Sequence, residues 1–210
     1  MFNWQENFKF MDAMQFFQLS AGRWKSSRIT HHLAFKRSEL GELDIFVETL
    51  GANDPEIIAL CQMHDIDPCL SIGGSNVRWL GTMAWDREEE ENHEGKTVFA
   101  IVPEVDNPRK GRLLREKGYA EIVPVVGLFH MDDEDGLVLT TEYETMSSIE
   151  RFWFPYSNLR LRTSTVKRFG GFNTASFCAE TRMEELSVNN ISSPIAEVIS
   201  AKPLYSSFGW

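Results

Sequence analysis

Residues 16–35 read FFQLSAGRWKSSRITHHLAF, and the spacing of the apolar residues changes near the middle of this run. Up to Gly22, the apolar residues fall four, three and four positions apart, which places them on one stripe of a helix. They are Phe10, Met14, Phe17 and Ala21. Gly22 can end such a helix, and residues 24–35 have the composition of a strand. The run therefore predicts a short amphipathic helix that leads directly into a β-sheet.

The rest of the chain is predicted to add one more helix and many strands. Asp54 suits the N-cap of a helix and Pro55 suits its first turn. The other apolar segments are short, and turns rich in Gly, Asn and Pro separate them. The predicted strands are residues 24–35, 43–50, 75–85, 98–103, 122–131, 137–143, 149–154, 158–167 and 176–183. About nine short strands with few helices predict an all-β protein, either an antiparallel sandwich or a barrel.

The 210 residues are predicted to form one domain over residues 1–186, followed by a C-terminal tail, residues 187–210. In this tail, Asn, Ser and Pro interrupt a weakly apolar segment.

Acidic residues outnumber basic ones, 31 against 21, and the formal net charge of −10 argues against nucleic acid as a partner. Part of the acid excess lies in residues 86–96 and 132–135. Both segments lack apolar periodicity, so they are predicted to be solvated hairpin loops.

The spacing of cysteines and histidines argues against a disulfide framework and against a metal site. Cys61, Cys69 and Cys178 are odd in number and form no C-x-x-C motif, so a reducing compartment is the simplest interpretation. His31 and His32 are adjacent, so their rings point to opposite faces of a strand.

No segment approaches the roughly 20 apolar residues of a membrane span. We therefore expect a cytoplasmic protein with no membrane association.

Residues 158–166, NLRLRTSTV, carry the most informative polar pattern. Strand alternation places Arg160, Arg162 and Ser164 on one face, with successive side chains about 7 Å apart. If this face points to solvent, it is an ordinary sheet exterior. If it points into a barrel, two guanidiniums line a cavity, and the ligand is expected to carry carboxylates or phosphates.

Two acidic residues lie on the strands before and after this segment. Because consecutive strands pair in an up-and-down arrangement, Glu150 and Glu180 are both expected to lie near the arginines. Each can be the structural partner of an arginine. Alternatively, one of these carboxyl groups exchanges a proton with a bound ligand.

An aromatic face is predicted on residues 75–85, where Trp79 and Trp85 point the same way. Such a face is typical of core packing. Opposite an arginine-bearing strand, it would instead form the apolar wall against which a flat conjugated ligand lies. Asp86 closes this strand and is a further candidate acid.

Four segments together resemble a known family. Gly22-Arg23-Trp24, after a short helix, resembles the Gly-x-Trp signature at the opening of lipocalin-like barrels. The whole run of residues 16–35 is similar to the start of the S-type phycobiliprotein lyases, the CpcS/CpeS family. Later segments agree in the same order: RWLGTMAWD (78–86), NLRLRTSTV (158–166) and FNTASFCAETRM (172–183). The resemblance spans roughly residues 10–185.

The resemblance implies an up-and-down, lipocalin-like barrel of about ten strands and a role as a bilin lyase. The family binds a linear tetrapyrrole and helps attach it by a thioether to a cysteine of a phycobiliprotein subunit. A phycobilin, phycocyanobilin or phycoerythrobilin, is then a substrate, with no permanently bound cofactor. The implied acceptor partners are apo-phycobiliprotein α or β subunits. The lyase itself is expected either to form a homodimer or to pair with a paralogous lyase subunit. The implied location is the cyanobacterial cytosol, or the plastid stroma of an alga.

The resemblance also assigns roles to single residues. It implies that Arg160, Arg162 and Ser164 face the ligand, that Trp79 and Trp85 are pocket aromatics, that Arg28 binds ligand, and that Glu150, Glu180 and Asp86 are the candidate catalytic acids. A bilin fits this set, because its two propionates suit arginines and its basic nitrogens suit a carboxylate. The nucleophile is the partner's thiolate, so the protein needs no cysteine of its own. The rival interpretation is a non-catalytic lipocalin-like carrier for a bilin or another anionic apolar ligand.

Overall fold

The computed structural model describes residues 11–83, 93–116 and 125–183. Ten antiparallel strands follow one another around a closed barrel, and the last strand pairs with the first. The strands are β1 (Gly22–His32), β2 (Arg37–Leu50), β3 (Gly74–Met83), β4 (His93–Glu104), β5 (Asn107–Arg115), β6 (Val125–Met131), β7 (Leu137–Glu142), β8 (Met146–Tyr156), β9 (Leu159–Arg168) and β10 (Thr174–Met183). The two α-helices are α1 (Ala13–Ser20) and α2 (Pro55–Met63). The predicted all-β, up-and-down lipocalin-like barrel is confirmed.

The helix predicted at the start of the chain covers one end of the barrel, which we call the closed end. Asp12 caps α1 by accepting a hydrogen bond from the Gln15 amide, while the Gln15 side chain accepts one from the Asp12 amide. Phe16 and Phe17 are buried and pack into the barrel core. Because α1 buries these rings against the strands, it stops the interior from opening at this end.

Hydrogen bonds hold the C-terminal end of α1 to the barrel. The Trp24 Nε1 donates to the Ser20 carbonyl at 2.8 Å, and Arg182 donates to the carbonyls of Leu19 and Ala21. The Arg182 guanidinium lies 4.2 Å from the centre of the Trp24 ring. These bonds satisfy carbonyl groups that the end of a helix leaves without intrahelical partners. At the N-terminal end, the Arg109 guanidinium donates to the Met11 carbonyl at 2.6 Å.

Residues 132–135 lie in the predicted hairpin loop between β6 and β7, and Asp133 and Glu134 are exposed, but the other two acids are paired with the barrel. Asp135 accepts hydrogen bonds from the Met11 amide and from Arg109, at 3.1 and 2.8 Å. Asp132 lies 2.6 Å from Arg151 Nε. Burial raises the pKa of Asp132, but hydrogen bonds from Arg151 and from two backbone amides outweigh it and hold the pKa below its ordinary value. The sequence did not predict these pairings, because hairpin formation brings basic residues of neighbouring strands to the two carboxylates.

The strand prediction also missed parts of β4 and β5. Residues 107–115 form β5, although no strand was predicted between residues 103 and 122. Charged and glycine residues interrupt the apolar pattern of β5 and so hide its alternation. Strand β4 begins at His93, before the predicted residue 98, and includes Gly95. A Cβ at position 95 would meet Trp79 Cζ2 at 2.1 Å, so the glycine leaves room for this ring.

The opposite end of the barrel, which we call the mouth, is formed by the ends of the odd-numbered strands and the starts of the even-numbered ones, and the turns described there join β1 to β2, β7 to β8 and β9 to β10. Residues 33–35, predicted to continue the first strand, instead form a short 3₁₀ turn at the mouth. Lys36 follows in the left-handed region with a φ of 50°, which lets the chain reverse into β2.

Helix α2 packs against the outside of the barrel. Asp54 caps it, as predicted, by accepting a hydrogen bond from the Glu56 amide, and Pro55 occupies the first turn. Cys61 is buried in this contact, and its burial raises the pKa of the thiol. Cys61 is therefore a packing residue, as the sequence predicted.

Several predictions concern residues outside the described part of the chain. These are Trp85, Asp86 and the tail of residues 187–210. Neither helix of the described part combines the length and the apolar character that a membrane crossing requires.

Candidate functional site

The barrel interior contains an apolar cavity of about 390 Å³ behind α1. Alternate residues of the strands point inward, so side chains from most of the barrel wall reach it. Six of its larger lining residues are Phe17, Ile45, Val77, Trp79, Phe99 and Phe152. Its volume lies in the range that small-molecule sites occupy.

A second, polar cavity of about 220 Å³ lies toward the mouth. Its lining includes hydroxyl and charged side chains, among them Thr30, His32, Ser148, Ser164, Arg168 and Ser176. Arg28, Glu150 and Arg162 line both cavities, so the two spaces meet at these three residues. The interior thus offers an elongated site that is apolar at the closed end and polar at the mouth.

The polar face of β9, which the sequence could not orient, points into the barrel. Arg160 and Arg162 line the apolar cavity, and Arg162 and Ser164 line the polar one. Register explains the neighbours: Glu180 of β10 lies opposite Arg160, and Glu150 of β8 lies opposite Ser164. Pairing between consecutive strands therefore brings the two predicted acids to the two predicted arginines.

Arg160 and Glu180 form a tight buried ion pair. The Arg160 Nε lies 2.5 Å from Glu180 Oε2, and the Arg160 residue is 6% exposed while Glu180 is fully buried. The guanidinium also lies 4.9 Å from the ring centre of Trp24 and 5.9 Å from that of Phe152. Removing one member of such a pair leaves an uncompensated buried charge, which typically costs about 3–5 kcal/mol.

Arg162 lies between the two carboxylates. Its guanidinium nitrogens lie 3.6 Å from Glu150 Oε1 and 3.8 Å from Glu180 Oε1, and one of them donates to Cys178 Sγ at 3.3 Å. The two separations from carboxylate oxygens are longer than the 2.7–2.9 Å that is typical of a charge-assisted hydrogen bond. Among the described residues, no hydrogen-bond donor contacts the buried Glu180 Oε1. This oxygen can therefore accept a hydrogen bond from a bound ligand.

Arg28 reaches the same junction from β1. Its Nε donates to Thr30 Oγ1 at 2.8 Å, and that hydroxyl lies 3.0 Å from Ser176 Oγ. These hydroxyls hold the guanidinium toward the cavities. Arg28 and Arg162 thus both line the junction that Glu150 also lines.

Trp79 forms part of the apolar wall. It points inward from β3 and packs near Trp24, Leu43 and Ile45. Gly95 of β4 has no side chain, which leaves room for the Trp79 ring against that strand. The sequence had left open whether Trp79 packs in the core or lines a cavity, and it does both.

Two functional candidates were missed by the sequence reasoning. Arg115 at the end of β5 lines the apolar cavity, and its guanidinium lies 4.8 Å from the ring centre of Phe99. It was missed because β5 was not predicted as a strand. If residues 107–115 had been predicted as a strand, the two-residue alternation would have placed Arg115 on the same inward face as Leu113.

The second missed group is His32 with Glu39 in the polar cavity. Their Nε2 and Oε2 atoms lie 2.8 Å apart. Burial raises the pKa of Glu39, but contacts with His32 and Arg37 outweigh it and hold the pKa below its ordinary value. His31 is exposed outside the barrel, so the prediction that the two histidines face opposite sides is confirmed. In residues 11–83, 93–116 and 125–183, no three His, Cys, Asp or Glu side chains converge as metal ligands.

The arrangement suits a ligand with an apolar body and anionic groups. The apolar body can lie in the closed-end cavity, while anionic groups meet Arg28 and Arg162 at the junction. The carboxylate of Glu150 lines both cavities and is therefore within the same space as such a ligand.

Comparison with known proteins gives concordant results. The chain matches the family model described as CpeS-like protein over residues 12–183. It is 61% identical over 203 residues to the phycocyanobilin lyase subunit CpcS of Picosynechococcus sp., covering 96% of this chain and 98% of that relative. It is 60% identical over 201 residues to chromophore lyase CpcS/CpeS 2 of Trichodesmium erythraeum, covering 95% and 100%. The solved S-type phycobiliprotein lyase CPES of Guillardia theta has a TM-score of 0.76 and 30% identity, covering 87% of this chain and 99% of that one.

Proposed function

This chain belongs to the CpeS-like family, and we propose that it is a chromophore lyase that binds a phycobilin and promotes its thioether attachment to a cysteine of an apo-phycobiliprotein subunit. The phycobilin, phycocyanobilin or phycoerythrobilin, is a substrate rather than a resident cofactor. The observation that carries the proposal is the meeting of an apolar and a polar cavity at Arg28, Glu150 and Arg162.

The two arginines that line both cavities take the propionates of the bilin. Arg28 and Arg162 suit this role because they lie where the apolar and polar cavities meet. Arg160 acts differently, since its tight pair with Glu180 already neutralises it. Arg160 is a positioning residue that holds Glu180 and the rings of Trp24 and Phe152 in place.

Glu150 is the proposed proton donor. The acceptor's thiolate attacks the ethylidene carbon of ring A, a carbon–sulfur bond forms, and the electron pair of the ethylidene double bond takes up one proton. Glu150 supplies that proton from the junction and regains one from solvent through the polar cavity. The protein otherwise contributes orientation and the exclusion of competing reactions.

The test is chromophore transfer with both bilins in parallel. The protein is incubated with phycocyanobilin or phycoerythrobilin and an apo-subunit, the mixture is denatured, and the absorbance that stays with the subunit is measured. We expect a higher yield and a single attachment site compared with a control without the protein. Transfer equal to that control would overturn the lyase proposal and leave the non-catalytic carrier.

The Glu150→Gln variant tests the proton step separately. We expect the rate of transfer to fall by about 10²-fold, the low end of general acid catalysis, while bilin affinity changes much less. Ser148→Ala is a matched control, because this residue is on the same strand and lines only the polar cavity. Equal losses of affinity and of rate in Glu150→Gln would mean that Glu150 only positions the ligand.

A further inference from the structure

Two turns at the mouth expose large apolar side chains side by side. The β1–β2 turn presents Leu33 and Phe35, and the β9–β10 turn presents Phe169 and Phe172. Phe35 is 64% exposed and Phe169 is 84% exposed. We call these four residues the mouth patch. Single exposed apolar residues are ordinary, but a cluster of them typically marks an interaction surface.

The mouth patch is held in a fixed arrangement. The rings of Phe35 and Phe172 stack with centres 5.7 Å apart and an interplanar angle of 22°. The Leu33 amide donates to the Asn173 carbonyl at 3.0 Å, which joins the two turns. A surface that is preorganised in this way loses little conformational entropy when a partner binds.

The apolar surface continues from the mouth patch onto the outer wall of the barrel. On β1, Ile29 lies between Leu40 of β2 and Phe177 of β10 in the strand register. Leu40 and Phe177 are both exposed. This extension makes the surface broad enough for a protein partner rather than for a small molecule.

The mouth patch adjoins the polar cavity. His32, Arg168 and Thr174 line that cavity and are the strand ends from which the two turns of the patch emerge. Helix α1 covers the other end of the barrel. A thiolate that reacts with a ligand at the cavity junction therefore approaches through the mouth, past this patch.

Basic residues are concentrated at the same two turns. Lys36, Arg37, Lys167 and Arg168 are exposed there, although the whole chain has a net charge of −10. Arg37 is paired with Glu39, and the neighbouring turn carries the exposed Glu142 and Glu144 beside Phe169, whose amide donates to the Thr145 carbonyl. Complementary charge steers association, so the fitting partner is acidic where it faces Lys36, Lys167 and Arg168.

We propose that the mouth patch is the docking surface for the acceptor protein, which binds with an apolar, acid-flanked surface beside its reactive cysteine. Docking there directs the thiolate into the polar cavity toward the bilin. This inference rests on the proposed lyase function. It commits to the acceptor as occupant, because the acceptor must bring its thiolate through the mouth and hold it there during the reaction.

The test is the double variant Phe35→Ser/Phe169→Ser, assayed with bilin and varied concentrations of apo-subunit. We expect the KM for the apo-subunit to rise about tenfold or more, as loss of central aromatic contacts produces at interfaces. The kcat and the bilin affinity should stay within about twofold. The matched control is Val105→Ser, because Val105 is 95% exposed on the β4–β5 turn at the closed end.

The outcomes separate the two proposals. If the unaltered protein transfers no bilin, the proposed function fails and the docking inference fails with it. If it transfers bilin and the double variant keeps the same KM, only the docking inference is overturned. If the unaltered protein is a dimer in solution and the double variant is a monomer, the mouth patch joins two copies of this chain, which also overturns the inference.

Discussion

The closed end and the mouth of the barrel are built in opposite ways. At the closed end, Arg109, Asp132 and Arg151 form hydrogen bonds of 2.6–2.8 Å, and α1 is held at both of its ends. At the cavity junction, Arg162 lies 3.6–3.8 Å from two carboxylates. At the mouth, aromatic rings face solvent. We propose that the closed end mainly stabilises the barrel, while the mouth is where ligand and partner bind.

The largest expected effect is on stability. In Glu180→Ala, Arg160 becomes a buried charge without its carboxylate, so we expect the free energy of unfolding to fall by about 3–5 kcal/mol. Urea denaturation of the variant measures this, with Thr181→Ala as the control because Thr181 is an exposed residue of the same strand. A loss below about 1 kcal/mol would mean that the pair behaves like an exposed one.

The next effect should appear in ligand binding rather than in stability. We expect Arg162→Ala to weaken bilin binding by about 1.5–3 kcal/mol, the range for a hydrogen bond to a charged group. An absorbance titration with phycocyanobilin measures the affinity. Arg78→Ala is the matched control, since both arginines lie over a phenylalanine ring, Arg162 at 5.4 Å and Arg78 at 5.7 Å, but Arg78 is exposed outside the barrel. Equal affinities of the two variants would contradict an anion site at Arg162.

A third prediction concerns how α1 is held. Arg182→Ala removes the hydrogen bonds to the Leu19 and Ala21 carbonyls, so we expect a loss of about 1–3 kcal/mol in the free energy of unfolding. Hydrogen exchange should become faster in α1 than in the strands at the mouth. Lys167→Ala, an exposed residue near the mouth, should leave exchange in α1 unchanged. Uniformly faster exchange along the whole chain would show that α1 does not open separately.

The smallest expected effect depends on pH. Because the folded pKa of Asp132 is lowered, its contribution is fully present above the ordinary aspartate pKa of about 3.9 and is lost as the pH falls through the folded pKa. Asp132→Asn should therefore be less stable than the unaltered protein by about 1 kcal/mol at neutral pH. The difference should shrink below about pH 4. A difference that is constant with pH would show that the charge of Asp132 contributes nothing.

Much of the fold could be predicted because strand alternation and turn residues are local signals. The pattern of residues 158–166 correctly grouped Arg160, Arg162 and Ser164 on one face. It could not say whether that face pointed inward, because the answer depends on the closure of the sheet. The resemblance implied the barrel and a count of about ten strands, but it did not place β5 at residues 107–115.

The individual ion pairs of the site could not be predicted from the sequence. The sequence predicted that Glu180 and Arg160 lie near each other, but their 2.5 Å ion pair depends on the register between β9 and β10. The ties of Asp132 to Arg151 depend on another register, across β7 and β8. Arg115 was missed for a simpler reason, since β5 has too few apolar residues to be recognised.

The pairing of β10 with β1 links the ligand site to the last step of folding. Thr30 and Ser176, which contact each other across this seam, are 146 residues apart in the chain. Contacts of such long sequence separation are slow to form. Arg162 and Glu180 also belong to the last two strands. Under the proposed function, a nascent chain therefore cannot bind a bilin fully until the strands that carry these residues have been synthesised.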